Sequence, residues 1–408
     1  MPTIPHACNK AQSRPLLLFL ALSLMVSLMN SSVPTPLYPF YQQQLQLSAV
    51  DLTLIFGVYG AGVLLSLLTL AGLVGRLRDL RKLLLPAAAL VVLGAWLFSQ
   101  GSSLWQLGTG RLIAGLGSGA MTAGVNMALV RFGPADSGKL AALLATLAMV
   151  VGLALGPLLS GAALQLDCYP RTLPFWLIML LGLLAILGVL GCWPSSPTIP
   201  ATTTDTPQIK APGLLQSLKG IGVPYHLCAW AVFFSWSFAA CVFVIGPSAA
   251  EQLLGLHDHG AFGYGISVYL LIAGASQLFC QRLEARRALL SGLLFQSLAL
   301  VMLLMAFYQA SLLLAVLALI VGGYAYGAIF VGSARLINQL AAGHGHGKLI
   351  TYFYMTIYCF NAVPIPLGLL VDSSGMAQAI QSALMLFLGV SSTLWLMAHK
   401  VRFLPVQQ

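Results

Sequence analysis

Of the chain's 408 residues, 59% are hydrophobic and 7% are charged, against about 25% charged in soluble globular domains. So little charge excludes a soluble enzyme, a disordered scaffold or a nucleic-acid-binding domain as a reading of the whole chain. The net charge of +10 comes from 19 Lys and Arg against 9 Asp and Glu, so its meaning depends on where those cations sit.

A helix that crosses a bilayer needs about 20 mostly apolar residues. The sequence holds twelve such stretches, at 15–38, 50–74, 83–100, 106–130, 140–164, 174–193, 223–248, 263–281, 288–308, 311–333, 349–371 and 378–398. Short breaks separate them, marked by Gly133-Pro134, Pro170, Pro174, Gly260, Gly343 and Gly345. One gap is long: residues 194–222 carry five prolines, three consecutive threonines, Lys210 and Lys219, the composition of a polar linker. The expected fold class is therefore an all-α polytopic membrane protein, with twelve transmembrane helices in two pseudo-symmetric six-helix bundles. A tail at 1–14 precedes the first bundle at 15–193; the linker at 194–222 leads to the second at 223–398, and a tail at 399–408 follows.

Twelve spans put both termini on one side, and Lys and Arg select that side as cytoplasmic. With this orientation 17 of the 19 cations fall in cytoplasmic segments, Arg171 alone in an outer loop, and Arg111 inside the fourth span. A cleaved signal peptide is the competing reading of span one. It lacks a small-x-small cleavage site, and Pro34, Pro36 and Pro39 stand where one would be. Of the seven cysteines only Cys168 falls in an outer loop, so no disulfide framework is expected, and no spacing suggests a metal site.

In chain order, span one carries a polar line of Ser23, Ser27 and Asn30 before Pro34. The serines suit ordinary interhelical hydrogen bonding, and Asn30 is a candidate for a cavity. Ser48 and Asp51 form a variant capping box at the start of span two. In span four, Arg111, Gly115, Ser118, Thr122 and Asn126 share one helical face. A charge inside a span costs about 2.5–3.5 kcal/mol on insertion scales, so Arg111 is expected to meet a polar cavity or a partner; the alternative is snorkelling from a helix end. Gly152, Gly156, Pro157 and Gly161 in span five permit close helix approach. Span seven presents Trp230, Phe234, Ser237 and Cys241, span ten Tyr326 and Phe330, and span eleven Thr351, Tyr354, Tyr358 and Asn361. Such rings suit an aromatic or apolar substrate, or simple packing against lipid.

The halves also repeat. Asp79-Leu80-Arg81-Lys82 returns as Glu284-Ala285-Arg286-Arg287 and Tyr59-Gly60 as Tyr264-Gly265, both shifted by 205. Lys139 and Pro157 return as Lys348 and Pro366, shifted by 209. Three stretches carry a family resemblance. The loop Gly75-Arg76-Leu77-Arg78-Asp79-Leu80-Arg81-Lys82 is a Gly-x-Leu-x-Asp with a basic cluster, shortened after the acid; Arg111-Leu112-Ile113-Ala114-Gly115-Leu116-Gly117 is built on an intramembrane Arg. Gly152-x-x-x-Gly156-Pro157-x-x-Ser160-Gly161 is an antiporter-type motif with Ser in place of one Gly. On these the chain resembles the major facilitator superfamily over essentially its whole length, in particular the drug:proton antiporter-like branch.

The resemblance implies a secondary transporter, not an enzyme, working by rocking-type alternating access. It gives Arg111 a part in proton coupling or substrate binding. It makes Gly75, Asp79, Arg81, Lys82, Gly115, Gly152, Gly156, Pro157, Gly161 and Glu284 the gating and conformational elements. No phosphate-binding loop is present, so no ATP is expected; the proton is the expected coupling ion, and no other cofactor is expected. None of the nine acids falls plainly at the bilayer centre, so the sequence exposes no proton carrier. The leading expectation is export of a small amphiphilic or aromatic compound in exchange for protons. It would come from a monomer in the inner membrane of a bacterium, with small-molecule substrate and lipid as its only partners and no nucleic acid. Import of a small organic anion is the alternative, and a non-transporting sensor or assembly factor on the same fold is a reading of a different class.

Overall fold

The computed structural model describes residues 10–70, 77, 79–134, 136, 138–194, 218, 221–341, 346–401 and 403. Gly75, Arg76, Arg78 and nearly all of the linker lie outside the described residues, as do the side chains of His346 and Lys348. The described residues form helices and no strand.

In chain order the helices are α1 (Lys10–Ser32), α2 (Tyr38–Leu45), α3 (Ala49–Leu70), α4 (Arg81–Ser99), α5 (Leu104–Phe132), α6 (Lys139–Gln165) and α7 (Leu173–Cys192). The second half continues with α8 (Gly222–Leu254), α9 (His259–Cys280), α10 (Ala285–Tyr308), α11 (Leu312–Ala341), α12 (His346–Tyr358), α13 (Pro364–Ser374) and α14 (Met376–Lys400). Among the described residues, twelve segments are long and apolar enough to cross a membrane. Two of them are composite. The first runs from Arg14 to Leu45 through α1, a 3-10 turn at Thr35–Leu37 and α2. Its prolines break the span without ending it, because Pro39 falls in the first turn of α2, where a missing N–H costs nothing. The eleventh runs from Leu349 to Ser374 and tightens into a 3-10 turn at Cys359–Ala362 before Pro364 restarts it as α13. A proline ring clashes with the carbonyl four residues earlier, which accounts for the break. The sequence patterning had suggested one unbroken helix there.

Packing repeats between the halves. In the first, α1 packs on α5, α6 and α7, α5 on α3 and α4, and α4 on α7. In the second, α8 packs on α11, α12 and α14, α11 on α9 and α10, and α10 on α14. Each contact in one list has its counterpart in the other, which gives the weak sequence repeat its structural meaning.

The halves meet through α6 with α9 and α3 with α13. One apolar core at the end far from the termini draws on both, including Met29, Tyr38 and Phe98 from the first half and Phe238, Val244 and Phe387 from the second. At the end that carries the termini the core divides in two. Leu20, Leu84 and Val125 belong to a first-half cluster, and Tyr225, Ile337 and Phe353 to a second-half cluster. The molecule is thus closed at the far end and parted at the terminal end, where Asn126, Asn338 and Tyr354 are exposed.

Candidate functional site

The site lies where the far-end closure stops, beside the break in the eleventh span. Irregular backbone at membrane depth persists only where protein or a cavity satisfies it, and in transporters such breaks border the substrate site. Asn361 occupies the break; its side-chain amide donates to the Tyr358 carbonyl at 3.0 Å. Gly60 of α3 gives Asn361 its room, because a Cβ at Gly60 would overlap the Asn361 side chain. Tyr358 packs beside Tyr59, Val63 and Ala114.

From that contact a line of rings runs into the second half. Trp236 stacks on Tyr326 at 5.6 Å between centroids and 9° between planes. It lies 5.3 Å from Phe330 and meets Phe360 edge-on at 5.5 Å, and Tyr326 meets Tyr269 at 5.9 Å. The Trp236 indole nitrogen is buried and has no hydrogen-bond partner among the described residues, a donor left free beside an aromatic wall.

On the first-half side Arg111 is 2% exposed. One terminal nitrogen donates to the carbonyls of Asn30 at 3.4 Å and Ser31 at 3.1 Å, in the last turn of α1, where the helix dipole is negative. Its guanidinium lies over the Tyr59 ring, 4.2 Å from the centroid. Its Nε and second terminal nitrogen have no hydrogen-bond partner among the described residues. A buried guanidinium without a carboxylate is costly; the α1 carbonyls and the π face offset part of that cost.

The other anticipated residues are distributed as follows. The Asn30 side chain donates to the Val91 carbonyl at 3.3 Å, and the Thr122 hydroxyl to Ser118 O at 2.8 Å. Asn126 is exposed toward the terminal end, its amide donating to Thr122 O at 2.8 Å. Tyr354 is 40% exposed on the same side. Trp230, 43% exposed, packs on Phe233 and Phe234, and the Ser237 hydroxyl is spent on Phe233 O at 2.7 Å. Neither belongs to the Trp236 cluster. A Cβ at Gly115 would strike the Tyr59 carbonyl, so this glycine seats α3 against α5. Gly152 and Gly156 lie against the backbone of α1, whereas Gly161 and the Pro157 carbonyl meet Gly260 and Gly263 of α9 across the two halves.

Near the terminal end, Asp79 bonds the Arg81 amide at 3.0 Å and the Arg81 guanidinium at 2.9 Å. That guanidinium holds the Asp79 carboxyl below its usual value of 3.8. Lys82 is exposed beside this pair, and Glu284 pairs with Arg287 at 3.1 Å. Both loop acids are therefore engaged within their own halves in this conformation.

Sequence reading gives no role in the site to Trp236, Phe360 or Gly263, uses Tyr59 only as part of the internal repeat, and counts Asp372 only among the acids away from the bilayer centre. Trp236 lies off the face traced through Trp230 and Ser237. The one available signal was the spacing of Gly260 and Gly263 at the start of span eight. A separate apolar cavity of about 120 Å³ sits inside the second half at the far end, among Phe238, Val242, Phe262, Leu319 and Phe387.

The family model described as Major Facilitator Superfamily matches residues 20–366. Among solved structures, a bacterial homolog of the human lysosomal transporter Spinster, inward-facing and unoccupied, superposes with TM-score 0.76 at 14% identity, covering 96% of this chain and 98% of that one. The nucleoside transporter NupG gives 0.67 at 13%, covering 95% and 100%. A variant of the peptide transporter POT gives 0.73 at 16%, covering 94% of each. No curated protein sequence matches. At such identities the structural likeness establishes the fold alone, but the family model spans most of the sequence and the twelve-span, two-bundle architecture agrees with it. The chain belongs to the major facilitator superfamily.

Proposed function

We propose that the chain exports a small amphiphilic or aromatic compound in exchange for protons, by alternating access. The observation that carries this reading is the Trp236–Tyr326–Phe330–Phe360 cluster. It stands at the break in the eleventh span, at the seam between the halves, with an indole donor unspent. Ring faces recognise an apolar body through dispersion and quadrupole contacts, and one free donor orients a polar group. The glycine contact of α6 with α9 supports a seam at which rigid halves rock. The distribution of Lys and Arg supports cytoplasmic termini in a bacterial inner membrane, so the parted end faces inward, where an exporter loads. The test is retention of a fluorescent aromatic amphiphile by cells expressing the chain. Expressing cells should retain less dye than controls, and collapsing the proton gradient should remove the difference. Trp236→Ala should raise retention toward that of controls. Equal retention with and without the gradient contradicts proton exchange.

A second reading, transport of a small organic anion, is favoured by the two unpartnered nitrogens of Arg111. If Arg111 clamps the anion, Arg111→Lys and Arg111→Gln raise the apparent substrate constant. If it serves coupling, binding stays intact while proton-driven transport is lost.

A further inference from the structure

Helix α3 begins at Ala49 with backbone amides that need acceptors. Its own residues form a reciprocal box: the Asp51 amide donates to Ser48 Oγ at 3.1 Å, and the Ser48 amide to Asp51 Oδ2 at 3.0 Å. The Ala49 and Val50 amides are left over, and the other half of the molecule takes them both. Ala49 donates to Asp372 Oδ1 at 2.9 Å and Val50 to Asp372 Oδ2 at 3.0 Å. One turn earlier on α13, Gly368 lies so near Ala49 and Thr53 that a Cβ would come within 2.9 Å of the Ala49 carbonyl.

Asp372 sits in the last turn of α13, where the negative end of the helix dipole disfavours an acid. The positive end of α3 offsets that penalty only while the second and eleventh spans are together. The other seam is fastened differently. Asp258 caps its own helix through the Ala261 amide at 3.0 Å and also accepts from Gln165 Nε2 at 3.3 Å, and the Tyr264 hydroxyl donates to Gln165 Oε1 at 2.7 Å. If α6 moved away, Asp258 would keep its cap. Parting α3 from α13 leaves the exposed Asp372 with water in place of the two amides.

We infer that Asp372 is a positioning residue that latches the far-end gate: its carboxylate closes the second span onto the eleventh and must release for that end to open. The inference rests on the alternating-access reading. The Ser48–Asp51 box keeps α3 capped without Asp372, so removing the latch should change gating and leave folding intact.

The test is pulsed electron-paramagnetic-resonance distance measurement on the full chain in lipid nanodiscs, with Cys8, Cys168, Cys192 and Cys359 replaced by serine. One spin-label pair at Gln43 and Gln378 reports the far end, and a second at Val130 and Gln339 the terminal end; all four positions are exposed. Asp372→Ala should raise the ratio of far-end-open to far-end-closed molecules about tenfold, the worth of about 1.4 kcal/mol. The terminal-end pair should shorten in step, with the melting temperature unchanged. Asp372→Asn, nearly isosteric and still able to accept one bond, should fall between and keeps the test valid should the alanine variant misfold. Far-end distances equal to wild type in both variants overturn the latch. A far-end pair that lengthens while the terminal-end pair stays fixed supports the latch and removes alternating access.

Discussion

Arg111 joins an unusual set of circumstances: full burial, two carbonyl acceptors, an aromatic face and two nitrogens with no acceptor. Lysine carries the charge and its ammonium can still donate to carbonyls, but it cannot lay a flat guanidinium over the Tyr59 ring. Arg111→Lys should therefore cut transport about tenfold and Arg111→Gln more, read as initial rates in reconstituted vesicles. Tyr59→Leu removes the ring beneath the guanidinium, which should cost about 1–2 kcal/mol of stability in a thermal melt. Asp79 behaves differently because it is partly exposed. Its folded pKa is depressed, so the stability it contributes is fully present above its ordinary value of 3.8 and is lost as pH falls through the lower folded value. Solvent screening holds that contribution below about 1 kcal/mol. Melting curves of wild type and Asp79→Asn should lie close at neutral pH and converge in strong acid.

Among the elements, the pair α6 and α9 brings glycine backbones together across the seam. Gly161 and Gly260 each lie within 2.8 Å of the other's carbonyl when a Cβ is placed on them. A branched side chain there must push whole helices apart, at a cost of about 1–3 kcal/mol. Gly161→Leu should weaken far-end closure, and a far-end cysteine pair should cross-link more slowly in the variant than in the unsubstituted protein. How far sequence could read these elements follows from what hydropathy reports. The twelve spans were legible because bilayer thickness dictates span length. The Ser48–Asp51 box was legible because it is local. The 3-10 tightening at Cys359–Ala362 was not, since Pro364 signals a kink without saying how many residues of α-helix it converts. Trp236 and Asp372 were not legible either: both act on helices distant in sequence, Asp372 on one 323 residues away, and an aromatic or an acid at a helix end looks the same in sequence whether it meets lipid, water or another span. Gly75, the first residue of the loop motif, lies outside the described residues, so that motif is seen here only from Leu77 and Asp79 onward.

For the whole molecule, two similar bundles share one core at the far end and keep separate cores at the terminal end. That division is what a rocking mechanism needs, since each bundle can hold together while the seam closes at one end and parts at the other. The aromatic cluster sits where the shared core gives way to the parted ends. We propose that this geometry moves an amphiphilic aromatic compound against protons. The most direct test reconstitutes the full chain in vesicles that enclose a pH-sensitive dye and challenges them with a panel of aromatic amphiphiles. At least one compound should drive proton movement that depends on its concentration, and that movement should be lost in Arg111→Gln and reduced in Trp236→Ala. Compounds that cross at the same rate with and without a proton gradient, and that move no protons, would contradict the account.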